Sequence, residues 1–443
     1  MSLDFSISTY GASEPGVGLL RIMADDRCLT QGLVAGQDGQ PIYREGPLID
    51  PKPLAYWLVW NWWRLNWEPY PSGQSGHDEW DLAHSMLAVG EGWLWPRITI
   101  HSDGVFTYLE SKPSSDDEHP MIFRYLADKV VQVPRPDFVA EVDRFVRELL
   151  DSTEGKGSDL SVLWEDLSRE REDRELSRFR KFEALLGADP DDLDSDDLIS
   201  RQREISELGR TAAEEIALGS DGVDHLISAS EIRSLTQEKG FDVRIEDGIA
   251  GDSDLPMEGV NTEGFEGGDS GAHAFTTPAW KVGSDLAKEV RSAADLNGDR
   301  VEDRKLAELL GTTPSAISSQ KLTDRFSWIL GDKGGRKLAL RSRSKTGRRF
   351  DAARLLGDSL QFSMRGEALL PATRSYSYRQ KMQRAFAAEF LSPWHSVEDR
   401  LRGDYSPESL DRVANGFSVS SWVIDNHLMN HGIESPLGRP PAW

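Results

Sequence analysis

Between Arg348 and Pro393 the chain reads RRFDAARLLGDSLQF, a short loop, and then YRQKMQRAFAAEFLSP. In both runs the apolar residues return every three or four positions, the period of a helix that buries one face. Phe350, Ala353, Leu356 and Leu360 share a face of the first run; Met382, Ala385, Phe386, Phe390 and Leu391 share a side of the second. Neither set can cover itself, so the spacing predicts two amphipathic helices packed in one core, and the C-terminal third must be built around them.

The remainder divides by charge. The formal net charge is −24, which on its own disfavours nucleic acid as a partner of the whole chain. The excess is local. Residues 151–270 hold 33 acidic against 13 basic residues, whereas residues 321–354 hold 11 basic against 3 acidic. Acidity therefore describes the middle of the chain, and nucleic acid stays open only for its C-terminal domain. No apolar run reaches the roughly 20 residues of a membrane span, and the first residues lack the pattern of a signal peptide. The single cysteine, Cys28, excludes an internal disulfide and a cysteine zinc cluster. A cytoplasmic protein of two or three domains is the expectation.

Residues 1–50 alternate short apolar stretches with turn signals, which predicts short strands. Then tryptophan crowds the chain: eight of fourteen fall between Trp57 and Trp95. Rings of that size supply buried area, so a compact aromatic core is the first reading. A surface formed by Trp57, Trp60, Trp63, Trp67 and Trp80, stacking a base, an aromatic peptide side chain or a cation, is the sharper alternative. ITIHSDGVFTYL predicts a β-hairpin turning at Ser102-Asp103-Gly104. DFVAEVDRFVRELLDS predicts a helix over 137–152, and two leucine-rich stripes predict a longer one over 160–187, bridged by the wholly polar SREREDRE. The aspartates of ADPDDLDSDD lack the order of a calcium loop. From about 240 to 275 the chain turns acidic, glycine-rich and poor in large apolar groups, as a flexible linker does.

After the linker, LAELLGTTPSAIS has the outline of a helix-turn-helix fragment, and LRSRSKTGRRF places Arg341, Arg343, Lys345, Arg348 and Arg349 where phosphate could be met. The same basic stretch, with a turn at Lys345-Thr346-Gly347, equally suits the end of a hairpin. Four phrases then recur in an order seen elsewhere. PAWKVGSDLAKEVR, RRFDAARLLGDSL, RQKMQRAFAAEFLSP and SPESLDRVANGFSVSSWVIDNHLMNHGI, over about residues 276–433, resemble the ImmA/IrrE-type zinc peptidases. Those proteins open with PW..G..LA..LR, carry a zinc helix RRF..AHELGH, and follow it with E..ANRFAAELLMP. The resemblance implies a zincin-like domain.

It also implies that the chemistry is gone. In an HExxH helix two histidines four apart bind zinc and the glutamate activates water. The matching positions here are Arg354, Leu355 and Asp358, and near the downstream acidic ligand stand Gln380 and Met382. Arg354 and Asp358 are spaced for an i, i+4 ion pair in place of the metal. His427 and His431 have HxxxH spacing, but Leu428 occupies the place of the base, so they form only a minor metal alternative beside a plain terminal helix. No G-x-S-x-G, P-loop or G-x-G-x-x-G suggests another chemistry.

These signals combine into a multidomain α+β protein. It has a Trp-rich N-terminal domain (1–135), an acidic helical region (136–240), a linker (241–275) and an ImmA/IrrE-like pseudo-peptidase domain (276–443). The expected function is non-catalytic recognition of a protein partner or a ligand, without a cofactor. The resemblance implies a setting in bacterial stress response, mobile-element control or phage defence. An unorthodox metallopeptidase and a DNA-binding regulator are the alternatives.

Overall fold

The computed structural model describes the chain apart from residues 1–4, 12–15, 25, 37–39, 72–76, 116–122, 152–156, 194, 221, 246–276, 299, 333, 363–366 and 439–443. The described residues form two compact units, one ending at Leu193 and the other beginning at Ser195. Helices and antiparallel sheets occur in both, an α+β architecture. Of the linker expected over 241–275, residues 246–275 lie outside the described residues, and its first three, Phe241–Val243, form a strand.

The first unit starts with β1 (Phe5–Gly11), β2 (Gly18–Ala24), β3 (Arg27–Cys28), β4 (Gly32–Ala35), β5 (Pro41–Arg44) and β6 (Leu48–Ile49). Two tryptophan-rich helices follow, α1 (Lys52–Trp60) and α2 (Trp62–Trp67), then α3 (His77–His84). The expected hairpin is β7 (Ile98–Ser102) with β8 (Phe106–Ser111), joined where Asp103 Oδ1 accepts from the Val105 and Phe106 amides and Gly104 takes a φ of 92°. β9 (Phe123–Tyr125) and β10 (Lys129–Pro134) complete three small sheets, ordered β1-β2-β3 with β6 also on β2, β10-β8-β7, and β5-β4-β9.

Three helices close this unit: α4 (Arg135–Asp151), α5 (Asp159–Glu172) and α6 (Arg174–Leu185). The long helix expected over 160–187 is two. Asp173 accepts from the amides of Glu175 and Leu176, so it caps α6 inside the polar stretch taken for a bridge. A residue that satisfies the amides of a new helix ends the old one at the same point.

The second unit begins with α7 (Ser195–Ser206), α8 (Arg210–Leu218), α9 (Ala229–Lys239) and β11 (Phe241–Val243). After the undescribed stretch come α10 (Ala279–Ala293), α11 (Asp303–Leu309), α12 (Pro314–Ser318), β12 (Ser327–Asp332), β13 (Gly335–Ala339), α13 (Lys345–Phe362), β14 (Leu369–Ala372) and α14 (Tyr378–Leu391). Then α15 (Trp394–Leu401), α16 (Pro407–Phe417) and α17 (Ser421–Asn430) end the unit. The sheet is antiparallel with order β11-β13-β12-β14.

The acidic region 136–240 is thus shared between the units instead of standing alone. Its second half is tied to the C-terminal sheet. β11 pairs with β13, the Leu369 amide donates to the Leu208 carbonyl at 2.9 Å, and Trp328 Nε1 donates to Thr236 Oγ1 at 2.7 Å. Backbone and buried side-chain bonds decide membership here, and charge composition does not report them.

The two helices that opened the reading, α13 and α14, pack together and against α10. Two glycines let them approach. A Cβ on Gly357 would stand 2.6 Å from the Phe386 ring, and one on Gly283 would stand 2.3 Å from the Met382 carbonyl oxygen. Phe386, Phe390 and Leu391 are fully buried beside them, and the first two rings stack at 5.5 Å.

Candidate functional site

On α13 the positions matching the zinc helix are all enclosed: Leu355 and Asp358 are fully buried and Arg354 nearly so. Asp358 pairs with Arg379 from the first turn of α14. Arg379 Nε donates to Oδ1 at 2.8 Å and Nη2 to Oδ2 at 2.5 Å. The expected Arg354–Asp358 ion pair is therefore replaced, because a guanidinium from the facing helix meets both carboxylate oxygens in its preferred two-point geometry. Arg354 instead donates from Nη2 to the Thr373 carbonyl at 2.7 Å and to Gln380 Oε1, and lies 3.8 Å from Asp351. Of the two downstream positions, Gln380 enters this cluster, and Met382 is a fully buried residue on α14.

More polar groups surround the pair. Asp351 accepts from Ser327 Oγ at 2.8 Å, which itself accepts from the Arg341 amide. Glu215, on α8, accepts from Ser377 Oγ at 2.6 Å and Ser375 Oγ at 3.4 Å. Arg384 donates from Nη1 to the Ser375 carbonyl at 2.9 Å and lies over the Tyr376 ring at 5.1 Å. Burial raises the carboxyls of Glu215 and Asp351 above the usual range and lowers the guanidinium of Arg354. At Arg379 burial also works against the charge, but the Asp358 carboxylate outweighs it and the guanidinium is raised. Such groups hold one another.

Zinc does not fit this set. An arginine and an alkyl group offer a cation no lone pair, and the one carboxylate is already neutralised by its two-point bond to Arg379. Among the described residues no three His, Cys, Asp or Glu side chains come together as a metal set. The spacing of His427 and His431 has a packing explanation. His427 is buried, and burial lowers its imidazole to about 4. His431 stacks on Trp394 at 4.1 Å.

The basic stretch is largely internal. Lys345-Thr346-Gly347 begins α13 instead of turning a hairpin, with Ser344 Oγ accepting from the Gly347 amide at 3.0 Å. Arg349 is fully buried, paired with Asp303 and donating to the Val301 carbonyl. Arg348 donates to the carbonyls of Ile317, Ser342 and Arg343. Lys345 pairs with Asp303, and Arg343 is exposed. Two of the five candidate phosphate contacts are thus committed to the interior. The second helix of the helix-turn-helix fragment, α12, has only five residues, with Ala316 and Ile317 turned into the core.

In the first unit Trp57, Trp63, Trp67 and Trp80 are buried, and their indole nitrogens are used internally where bonds form. Trp63 Nε1 donates to Glu170, Trp57 Nε1 to the Leu82 carbonyl, and Trp80 Nε1 to the Pro69 carbonyl. Arg135 and Lys181 each lie 4.0 Å from the centre of the Trp67 ring, the cation–π arrangement of a core edge. Trp80 stacks on His84 at 4.3 Å, and His84 is fully buried between the Ile100 carbonyl and Glu68.

Trp60 differs from these four. It is 50% exposed and stacks on Tyr56, 41% exposed, at 6.1 Å and 12°. Both line a pocket of about 640 Å³ with Trp57, Asp50, Glu91 and Asp159. Of the proposed aromatic surface, only Trp60 and an edge of Trp57 are therefore placed to receive a ligand.

Sequence reasoning missed Arg379, Arg384 and Glu215, and placed Gln380 only at a former ligand position. Arg379 and Arg384 lay inside the second helical run, where polar residues of an amphipathic pattern are ordinarily assigned to solvent. Arg379 finds Asp358 21 positions away and Glu215 finds Ser377 162 positions away, so no local signal marked these pairs. Compared with family models, curated proteins and solved structures, the chain gives no match in any of the three.

Proposed function

We propose that this chain is a non-catalytic recognition protein whose C-terminal unit is a degenerate zinc-peptidase scaffold of the ImmA/IrrE type, acting in bacterial stress response, mobile-element control or phage defence. The scaffold part of this reading is supported by the order of elements around the resembling phrases. An opening helix, an antiparallel sheet, the former zinc helix, an edge strand and the AAEFLSP helix follow one another as the phrases do. The observation that carries the non-catalytic part is the Asp358–Arg379 pair, which occupies the second ligand position with a structural bond. Recognition is the function this reading assigns to a scaffold whose buried polar groups bond one another.

The test is a cleavage assay of the full chain on unfolded protein substrates with zinc added. No chelator-sensitive hydrolysis is expected; hydrolysis that a chelator abolishes overturns the proposal. The DNA-binding alternative finds little support, because Arg348 and Arg349 are spent on interior carbonyls and Asp303.

A further inference from the structure

The first unit carries its cavity beside α1. Tyr56 and Trp60 stand four residues apart on that helix, so their side chains emerge on one face. The rings stack at 6.1 Å and 12°, and both stay exposed although most of the tryptophans around them are buried. They line the cavity of about 640 Å³, a volume that suits a small molecule. Val89, Leu149 and Leu160 give it apolar walls, and the exposed rings leave it open to solvent.

The charged part of the lining has one sign in excess. Asp50, Glu91 and Asp159 stand against a single base, Lys52. Asp50 Oδ1 accepts from the Lys52 amide at 3.0 Å, which satisfies the start of α1. Among the described residues Glu91 and Asp159 have no ion-pair partner. The start of α5 also lines the cavity, and a helix start ordinarily favours an anion. Here Ser158 already accepts from the Ser161 amide, and Asp159 fills the first turn, so that preference is met internally. A phosphate or carboxylate entering the cavity would therefore meet three like charges. The acids do not form a metal site either, since no three His, Cys, Asp or Glu side chains gather for one among the described residues.

We propose that this cavity binds a small organic cation with a quaternary ammonium head, the head against Tyr56 and Trp60 and the apolar body against Leu149 and Leu160. An aromatic face attracts a diffuse cation through its quadrupole, and a quaternary ammonium is the head that exploits this best. Exposed carboxylates hold a cation weakly by themselves, so Glu91 and Asp159 set the sign while the rings supply the contact. A primary ammonium brings three N–H donors that need converging acceptors. A quaternary head brings none, which agrees with apolar walls and dispersed acids. This site lies wholly in the first unit and does not rest on the reading of the second.

The test uses the full chain in titration calorimetry, at matched ionic strength, with choline, with ethanolamine, and with the uncharged carbon isostere of choline that carries a tert-butyl group. Choline should bind saturably and roughly tenfold tighter than either control. Trp60→Ala should weaken choline binding roughly tenfold, the order of one desolvated cation–π contact, with a Tm close to the parent's because the ring is exposed. Asp159→Asn should weaken it severalfold at low salt, and the difference should shrink as salt rises. Absence of saturable choline binding overturns the proposal. Equal binding of the carbon isostere does so too, because the cavity would then select apolar shape alone. Equal or tighter binding of ethanolamine would make it a site for primary amines, and binding untouched by Trp60→Ala would put the rings outside it; either result also overturns the proposal.

Discussion

Asp358 and Arg379 meet through two bonds, 2.8 and 2.5 Å long, with the carboxylate fully buried and the guanidinium 4% exposed. The pair joins α13 to α14. Removing one partner leaves the other as an uncompensated buried charge, which costs about 3–5 kcal/mol. Arg379→Met should therefore lower stability by that amount in urea unfolding. Replacing both, as Asp358→Leu with Arg379→Met, should recover most of it. A double variant as unstable as the single one would show that the pair is not what the site depends on.

Helix packing around Gly283 leaves no room for a side chain, since its Cβ would fall 2.3 Å from a backbone oxygen of α14. Backbone cannot swing aside as a flexible side chain can, so Gly283→Ala should destabilise by about 1–3 kcal/mol despite the better helix propensity of alanine. A thermal melt of the variant decides the matter; an unchanged or higher Tm would mean that α10 and α14 stand further apart.

Protonation of His427 gives a distinct pH signature. Its imidazole is lowered to about 4 by burial, against an ordinary value of 6.5. Between these values the unfolded chain binds the proton and the folded chain does not, so stability rises with pH across the window. The contribution is whole above about pH 6.5 and is lost as pH falls toward 4, up to about 3 kcal/mol. Burial raises Glu215 and Asp351 with the opposite sign, so the informative quantity is the difference between the parent and His427→Gln. That difference should be flat above pH 7 and change only below it.

Among the tryptophans, burial separates packing from presentation. Trp57 is 6% exposed and anchored to the Leu82 carbonyl, whereas Trp60 is 50% exposed at the pocket rim. Trp57→Ala should cost about 3–5 kcal/mol, and Trp60→Ala less than about 1 kcal/mol. Equal losses in chemical unfolding would place both rings in the same core.

Periodicity made the helices legible. The apolar faces of α4, α13 and α14 could be read from spacing alone, and the hairpin of β7 and β8 from its Asp103-Gly104 turn. Breaks and partnerships were harder. Asp173 looked like one more charge in a polar run until its carboxylate was seen to cap α6. Arg349, in a basic stretch that suggested a phosphate surface, is buried on Asp303 46 residues earlier. Local spacing favoured Arg354 as the partner of Asp358, but the facing helix supplied a better aligned guanidinium. The absence of HExxH could be read in sequence; the partners of Arg354 and Arg379 depend on contacts across the fold.

The central proposal is that α13 is a degenerate zinc helix that packs without a metal. Metal content of the purified full chain, measured after equilibration with excess zinc and removal of the unbound ion, tests it most directly. The account expects far less than one zinc per chain, unchanged by His427→Gln. One zinc per chain, retained through buffer exchange and lost on substitution of Asp358 or His427, would contradict it.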